Sequence, residues 1–332
     1  MERDRAIDST KFLLICLVIF AHALEVCRDT DWLSEKVYIF IYSFHMPAFI
    51  ILSGYFFKDN DNSKFWKGVV NLFLTYLFFQ IALCGNPLTY STADGPLVSQ
   101  LIDGLRFNVT HLYLPAGALW YIVSLAFWRM LLHFIPYSIR DSKATLVIGV
   151  AFIICIVGGF FPMGRELSFQ RTVAFFPYFL LGYYAKRFDG YAMLKRVKVQ
   201  YALVIVTVYA IIVFAIGHFP LSMLVQFFDY YELGNPIYGV GMRIVSFLWM
   251  LPLTLAILRL FANVTVFYNQ GRNTLFYYIY HMYAIMGMRI VLNTVLGGVN
   301  LVIIIFISSI LILLLFGISR FKILYRPLAF IK

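Results

Sequence analysis

Residues 9–27 read STKFLLICLVIFAHALEVC: a lysine, an apolar run, and then a histidine between two alanines. The run has about the length that a helix needs to cross a bilayer. Its basic start and the Ala21-His22-Ala23 triplet imitate a signal peptide, but the apolar run continues to Cys27 and similar runs follow along the chain. We therefore interpret it as a retained first transmembrane helix.

Nine further apolar segments can be drawn, each of transmembrane length. They lie at roughly 37–57, 67–85, 117–135, 144–161, 171–188, 200–219, 237–261, 274–293 and 299–319. The chain is 62% apolar and only 13% charged, with a mean hydropathy of +0.82, which is far from the composition of a soluble domain. The sequence thus predicts one all-α, polytopic membrane domain over residues 1–332, with about ten transmembrane helices in a lipid bilayer.

The basic residues divide unevenly between the two sides of this arrangement. The formal net charge is +11, which in a soluble protein would point to nucleic acid. Here 19 of the 27 Lys and Arg residues fall on the side of the amino terminus, five on the other side and three inside spans. The positive-inside rule then places both termini in the cytoplasm, and nucleic-acid binding is disfavoured. The longest external loop is predicted at 86–116.

The four cysteines, Cys16, Cys27, Cys84 and Cys155, lie in or beside apolar runs without the spacing of a metal site. We expect no metal. A disulfide between Cys27 and Cys84 remains an alternative, because both residues fall at helix ends that the topology places outside.

Ionisable groups inside spans need a partner or a role, because the bilayer penalises them. His22, His45 and His281 lie inside spans. Lys11 and His22 share one helix face about 16 Å apart, and Asp8 can pair with Lys11 on that face. The alternative is an interfacial lysine and a buried structural histidine. The other intramembrane ions, Arg129, Arg243 and Arg289, are expected to be structural.

The second span reads YSFHMPAFIILSGYFF over 42–57. Pro47 is expected to break its hydrogen-bond ladder, with His45 just above the break at a depth similar to that of His22. The two histidines could therefore meet across the helix pair. The small residues Ser53 and Gly54 are typical of a close helix approach.

These strings resemble integral membrane acyltransferase family three, the O-acyltransferases, in the branch of the fucose 4-O-acetylases. The opening motif of a basic residue, ten residues and histidine is matched by Lys11 and His22, and the second-helix motif by residues 45–47 and 52–56. Further similarities are Leu119-Trp120-Tyr121, Arg171 ahead of FFPYFLLGY at 175–183, and GRNTL at 271–275 followed by Tyr278 and His281. Three positions where arginine is more common in the family are lysines here: Lys11, Lys64 and Lys67. Thr75 stands where proline is common. Lysine keeps the positive charge but cannot bind a phosphate in the bidentate way that arginine does.

The resemblance implies transfer of an acyl group, most often acetyl, from cytoplasmic acyl-CoA to a sugar hydroxyl of a cell-surface glycan or its lipid-linked precursor. It implies a multi-pass protein of the bacterial plasma membrane. A sugar hydroxyl needs a base to attack a thioester, and imidazole has a suitable ordinary pKa of about 6.5. We expect His22 to be that base, with Lys11 and His45 as further catalytic residues.

Other roles follow from the same resemblance. The expected acyl-CoA-binding residues are Lys11, Lys58, Lys64, Lys67 and His281. Arg171, Trp120, Asn273 and Tyr278 are the expected acceptor-binding residues, and several of these groups are candidates for stabilising an oxyanion. Whether transfer is direct or through an acyl-histidine is left open, as are the acceptor sugar, the acyl length and the oligomeric state.

Two other functions are alternatives to acyl transfer. A transporter or flippase for a glycan precursor or acyl donor would use the buried histidines as a proton relay, but the two halves of the chain show no resemblance to each other. A structural subunit of a polysaccharide synthase would use its polar residues for helix packing.

Overall fold

The computed structural model describes residues 4–58, 62–82, 97–295 and 299–325. Helices dominate the described part of the chain, and it contains no strand, which confirms the all-α class. The helices are α1 Arg5–Leu24, α2 Trp32–Tyr42, α3 His45–Tyr55, α4 Asn62–Ala82, α5 Leu97–Thr110, α6 Trp120–Phe134, α7 Tyr137–Ser142, α8 Ala144–Gly158, α9 Phe169–Arg187, α10 Gly190–Arg196, α11 Val199–Ala215, α12 Ser222–Val225, α13 Pro236–Phe261, α14 Tyr268–Gly271, α15 Thr274–Val295 and α16 Leu301–Ile318.

Every predicted apolar segment coincides with a helix or a helix pair. Among the described residues, six stretches are long and apolar enough to cross a membrane: Arg5–Leu24, Trp32–Tyr55, Asn62–Ala82, Gly117–Phe134, Pro236–Phe261 and Leu301–Ile318. The bent pair α10 and α11 raises this number to seven. The protein is therefore an all-α polytopic membrane protein, while the count of ten and the cytoplasmic termini stay predictions.

Helices α9 and α15 are of similar length to these six stretches and carry polar residues such as Gln170, Arg171 and His281. The segment 86–116, predicted as an external loop, contains the helix α5, and its external position stays a prediction. The signal that was missed is amphipathic periodicity: one face of α5 is apolar, although the mean hydropathy of the whole helix is low.

The second span is broken one turn earlier than predicted. Helix α2 ends at Tyr42 and α3 begins at His45, so the break falls at Ser43 and Phe44. Pro47 lies in the first turn of α3, where a missing N–H removes no helical hydrogen bond. The ladder resumes with Ala48 N–H donating to Phe44 O at 2.9 Å. The proline therefore starts a helix here, and the break leaves His45 at a helix end.

Two glycines set the crossing of α3 and α9. A Cβ on Gly54 would collide with the carbonyl oxygen of Phe179, and a Cβ on Gly182 would collide with that of Ile51. The contact is reciprocal and involves backbone on both sides, so neither helix can yield by turning a side chain. The predicted small-residue approach at Gly54 is confirmed, and Gly182 is its partner.

A third glycine joins α14 to the first helix. A Cβ on Gly271 would meet the backbone of Asp8, which is fully buried. The Asp8 carboxylate in turn pairs with Lys11 Nζ at 2.7 Å, as predicted. Of the cysteines, Cys16, Cys27 and Cys155 are free, and the possible Cys27–Cys84 pair cannot be followed, since Cys84 lies outside the described residues.

We expect Gly54→Ala and Gly182→Ala to destabilise the protein by about 1–3 kcal/mol or more, because backbone must move to admit each methyl group. Thermal unfolding in detergent measures the effect. Gly149→Ala in α8 is the matched control: its Cβ would have no atom within 4 Å, so helix propensity alone predicts a neutral or slightly stabilising change. Equal unfolding temperatures for all three variants would contradict the crossing.

Candidate active site

A cavity of about 980 Å³ lies among α1, α2, α3, α9 and α15. We call it the histidine cavity. Its polar lining includes His22, Glu25, Arg28, Asp29, Tyr42, His45, Arg165, Arg171, Tyr278 and Arg289, and its apolar lining includes Trp120, Phe175, Phe227 and Phe228. Five residues predicted for the site from sequence therefore share one space: His22, His45, Trp120, Arg171 and Tyr278.

Glu25 fixes the orientation of His22. The imidazole Nδ1 of His22 lies 3.0 Å from Glu25 Oε1, one helical turn away at the end of α1. Tyr42 donates its hydroxyl to the same oxygen at 3.0 Å, and Arg289 Nη2 donates to Oε2 at 3.0 Å. A carboxylate acceptor assigns the proton of neutral His22 to Nδ1, which leaves Nε2 as the basic nitrogen.

Positive charge surrounds the Glu25 carboxylate. Besides Arg289 on Oε2, the Arg28 guanidinium interacts with Glu25 electrostatically. Because His22 Nδ1 lies 3.0 Å from Glu25 Oε1, the two side chains form a salt bridge when the imidazole carries a second proton.

The other two intramembrane histidines flank this cluster. The His281 ring lies 5.3 Å from the His22 ring, and its Nε2 is buried without a partner in the described part of the chain. His45 packs edge-on against Tyr42, with ring centroids 4.6 Å apart, and its Nδ1 contacts Ile41 O at 2.8 Å. Tyr42 thus lies against both His22 and His45, which meet the same cavity without pairing directly.

In another part of the histidine cavity, two arginines lie against aromatic rings. The Arg171 guanidinium lies 4.6 Å from the Trp120 ring and 5.2 Å from the Phe227 ring, and its Nε donates to Val225 O at 2.9 Å. Arg165 lies over the same Phe227 ring at 4.2 Å. Stacking on aromatic faces orients a guanidinium while leaving its outer nitrogens to a ligand.

A second cavity of about 350 Å³ lies at the Lys11 end of α1. We call it the lysine cavity. Its cations are Lys11, Lys58 and Arg129, and the rest of its lining is largely apolar. Tyr278 lines both cavities, and the hydrogen-bonded pair of Ser53 and Tyr121 lies in the wall of the lysine cavity. The first helix therefore presents Lys11 to one cavity and His22 to the other.

Four predicted residues lie outside the lining of both cavities. Lys64 and Lys67 are exposed in the first turns of α4. Asn273 precedes α15, and the two residues after it, Thr274 and Leu275, line the lysine cavity. His281, an expected acyl-CoA-binding residue, is buried beside His22 and lines neither cavity.

Sequence reasoning missed Glu25, Tyr42 and Arg289 as site residues. The three-residue spacing of His22 and Glu25 on one helix was the available signal for the first pair. Arg289 was expected to be structural, but it lines the histidine cavity and pairs with Glu25. Arg129 likewise lines the lysine cavity, whereas Arg243 is structural as expected, since it donates to Cys155 O and Gln170 Oε1 at 3.0 Å each.

Fold and site together define a polytopic membrane protein with a histidine–carboxylate centre in a large polar cavity. The profile of integral membrane acyltransferase family three, described as an acyltransferase domain, matches residues 4–318. The chain belongs to this family.

Two curated relatives are similar to it. Nodulation protein NolL of Mesorhizobium japonicum (strain LMG 29417 / CECT 9101 / MAFF 303099) is 29% identical over 188 residues, which cover 55% of this chain and 48% of that protein. Nodulation protein NolL of Sinorhizobium fredii (strain NBRC 101917 / NGR234) is 45% identical over 58 residues, 16% of each chain. The chain thus matches about half the length of the first relative. No solved structure matches it significantly.

We expect Arg289→Met to destabilise the protein by about 3–5 kcal/mol, because it removes a charged partner from the nearly buried Glu25. The double variant with Glu25→Gln should lose less than the sum of the two single losses, since removing both charges leaves neither unpaired. Denaturant unfolding in detergent gives this coupling. The exposed Arg106→Met is the control and should leave stability unchanged; additive losses would contradict the pairing.

Proposed function

We propose that this protein is a membrane O-acyltransferase that moves an acyl group, most simply acetyl, from acyl-CoA to a sugar hydroxyl of a cell-surface glycan or its lipid-linked precursor. We place it in the bacterial plasma membrane. The observation that carries the proposal is the His22–Glu25–Arg289 cluster on the wall of the histidine cavity. The family match supports the reaction class.

His22 is the proposed general base. Its Nδ1–H donates to Glu25, and its Nε2 takes the proton of the acceptor hydroxyl as the oxygen attacks the thioester carbonyl. Collapse of the tetrahedral intermediate breaks the C–S bond. The protonated His22 then returns the proton to the leaving sulfur, so the products are the O-acyl sugar and the free thiol of CoA. Glu25 stabilises the imidazolium between these two steps.

His45 is the weaker candidate for the base. Its Nδ1 donates to a neutral carbonyl, Ile41 O, rather than to a carboxylate, so nothing comparable stabilises its protonated form. The same hydrogen bond leaves its Nε2 as an acceptor in the neutral ring. We therefore propose that His45 accepts a hydrogen bond from the acceptor sugar and positions it.

The lysine cavity is the proposed donor site. Lys11, Lys58 and Arg129 supply cations for the phosphates of acyl-CoA, and the apolar lining suits the pantetheine arm. An extended pantetheine chain is comparable in length to the separation of about 16 Å between Lys11 and His22 along α1. Tyr278 lines both cavities, so it lies where the thioester would pass from one to the other.

We expect His22→Ala to abolish acyl transfer while the protein stays folded, because the variant loses its base but neither a glycine contact nor the Glu25–Arg289 pair. The assay is thiol release from acetyl-CoA by the purified protein, with and without a mixture of bacterial glycan acceptors. His218→Ala, which removes an exposed histidine outside both cavities, is the matched control and should retain turnover.

Lys11→Ala is the second arm of this experiment. It should raise the KM for acetyl-CoA with a smaller change in kcat, because Lys11 lies in the donor cavity rather than beside His22. Full turnover in His22→Ala would refute the mechanism. No thiol release with acetyl-, succinyl- or longer acyl-CoA, together with no thermal stabilisation by CoA, would favour the transporter or the structural subunit.

A further inference from the structure

The charges around the histidine cavity do not balance. Among the described residues, four arginines and two carboxylates line it: Arg28, Arg165, Arg171 and Arg289 against Glu25 and Asp29. Both carboxylates are already engaged. Arg289 pairs with Glu25 at 3.0 Å, and Arg28 pairs with Asp29 at 3.4 Å. Within the part of the chain that the structure describes, Arg165 and Arg171 form no ion pair.

These two arginines are also close to one another, since both contact the ring of Phe227. Two like charges on one ring repel, and the half-buried position of Arg171 weakens the screening that water would provide. An arrangement of this kind is stabilised by an anion that bonds to both guanidinium groups. The contacts with Trp120, Phe227 and Val225 O fix Arg171 before any ligand arrives.

The geometry of Arg171 leaves the ligand-facing nitrogens unused. Its Nε is committed to Val225 O, while its two terminal nitrogens form no hydrogen bond with the described residues. A planar guanidinium fixed by stacking suits the bidentate binding of a carboxylate or a phosphate. The adjacent aromatic side chains offer apolar faces to a sugar ring.

We propose that the histidine cavity selects an acceptor glycan that carries an anionic group, a phosphate or a carboxylate, bound between Arg165 and Arg171 while its hydroxyl reaches His22. This inference rests on the proposed function and adds the acceptor class to it. Two sources supply the same chemistry: the phosphate that links a sugar to a lipid or nucleotide carrier, and the carboxylate of an acidic sugar.

The test is a binding measurement that needs no turnover. Calorimetry and thermal unfolding are recorded for the full chain in lipid nanodiscs with three matched probes: methyl glucoside, glucose 1-phosphate and methyl glucuronide. We expect at least one anionic probe to bind on the order of tenfold or more tightly than the neutral probe, as charge-assisted hydrogen bonds predict. Whether the phosphate or the carboxylate probe binds identifies the source of the charge.

Arg165→Gln and Arg171→Gln should each remove most of that preference and leave binding of the neutral probe unchanged. Arg106→Gln, at an exposed arginine outside both cavities, is the matched control and should keep the preference. The proposal is overturned if no anionic probe binds, if neutral and anionic probes bind equally, or if the Arg106 variant behaves like the other two.

Acetyl-CoA binding to the same variants separates this inference from the proposed function. If Arg165→Gln and Arg171→Gln weaken acetyl-CoA binding instead, the anion is the donor's and the inference is wrong, although acyl transfer stands. Acyl transfer to neutral sugars that does not depend on Arg165 and Arg171 would also show that the inference is wrong while the proposed function holds. Arginine-dependent binding of an anionic sugar without any acyl transfer would refute the proposed function and keep the site.

Discussion

The carboxylate of Glu25 is the point on which the site depends. It accepts hydrogen bonds from His22 on α1, Tyr42 on α2 and Arg289 on α15, so a single side chain ties three helices together beside one cavity. An ionised carboxylate at this depth is costly unless each of its oxygens is bonded. Its three partners meet that demand, and in doing so they fix the tautomer of His22. The packing of the three helices and the orientation of His22 therefore both require the hydrogen-bonded carboxylate of Glu25.

Glycines determine where the site elements lie. The reciprocal contacts of Gly54 and Gly182 hold α3 against α9, which carries Arg171. The contact of Gly271 with Asp8 holds α14, and the start of α15 that follows it, against α1. Each glycine belongs to a string that the family resemblance singled out, and backbone contact explains why no side chain fits there. These strings are thus packing motifs that position the polar residues near them.

The long helices could be predicted from the sequence, but the contacts between residues on different helices could not. Each predicted apolar run contains a long helix or a helix pair, and the cost of burying an imidazole pointed to His22 and His45. The partner of Glu25 could not be predicted, because Arg289 lies 264 residues away and only packing brings α15 to α1. Lys64 and Lys67 were chosen for charge and motif position, yet they are exposed outside both cavities. Helix α5 was missed because its average hydropathy hides an apolar face.

The central claim is that donor and acceptor approach His22 from opposite ends of α1, through the lysine cavity and the histidine cavity. The most direct test reconstitutes the protein in one orientation in liposomes and supplies labelled acetyl-CoA and a membrane-impermeant glycan acceptor on chosen sides. We predict labelled glycan only when acetyl-CoA is on the side of Lys11 and the acceptor is on the opposite side. Labelling that requires both substrates on the same side would contradict this account.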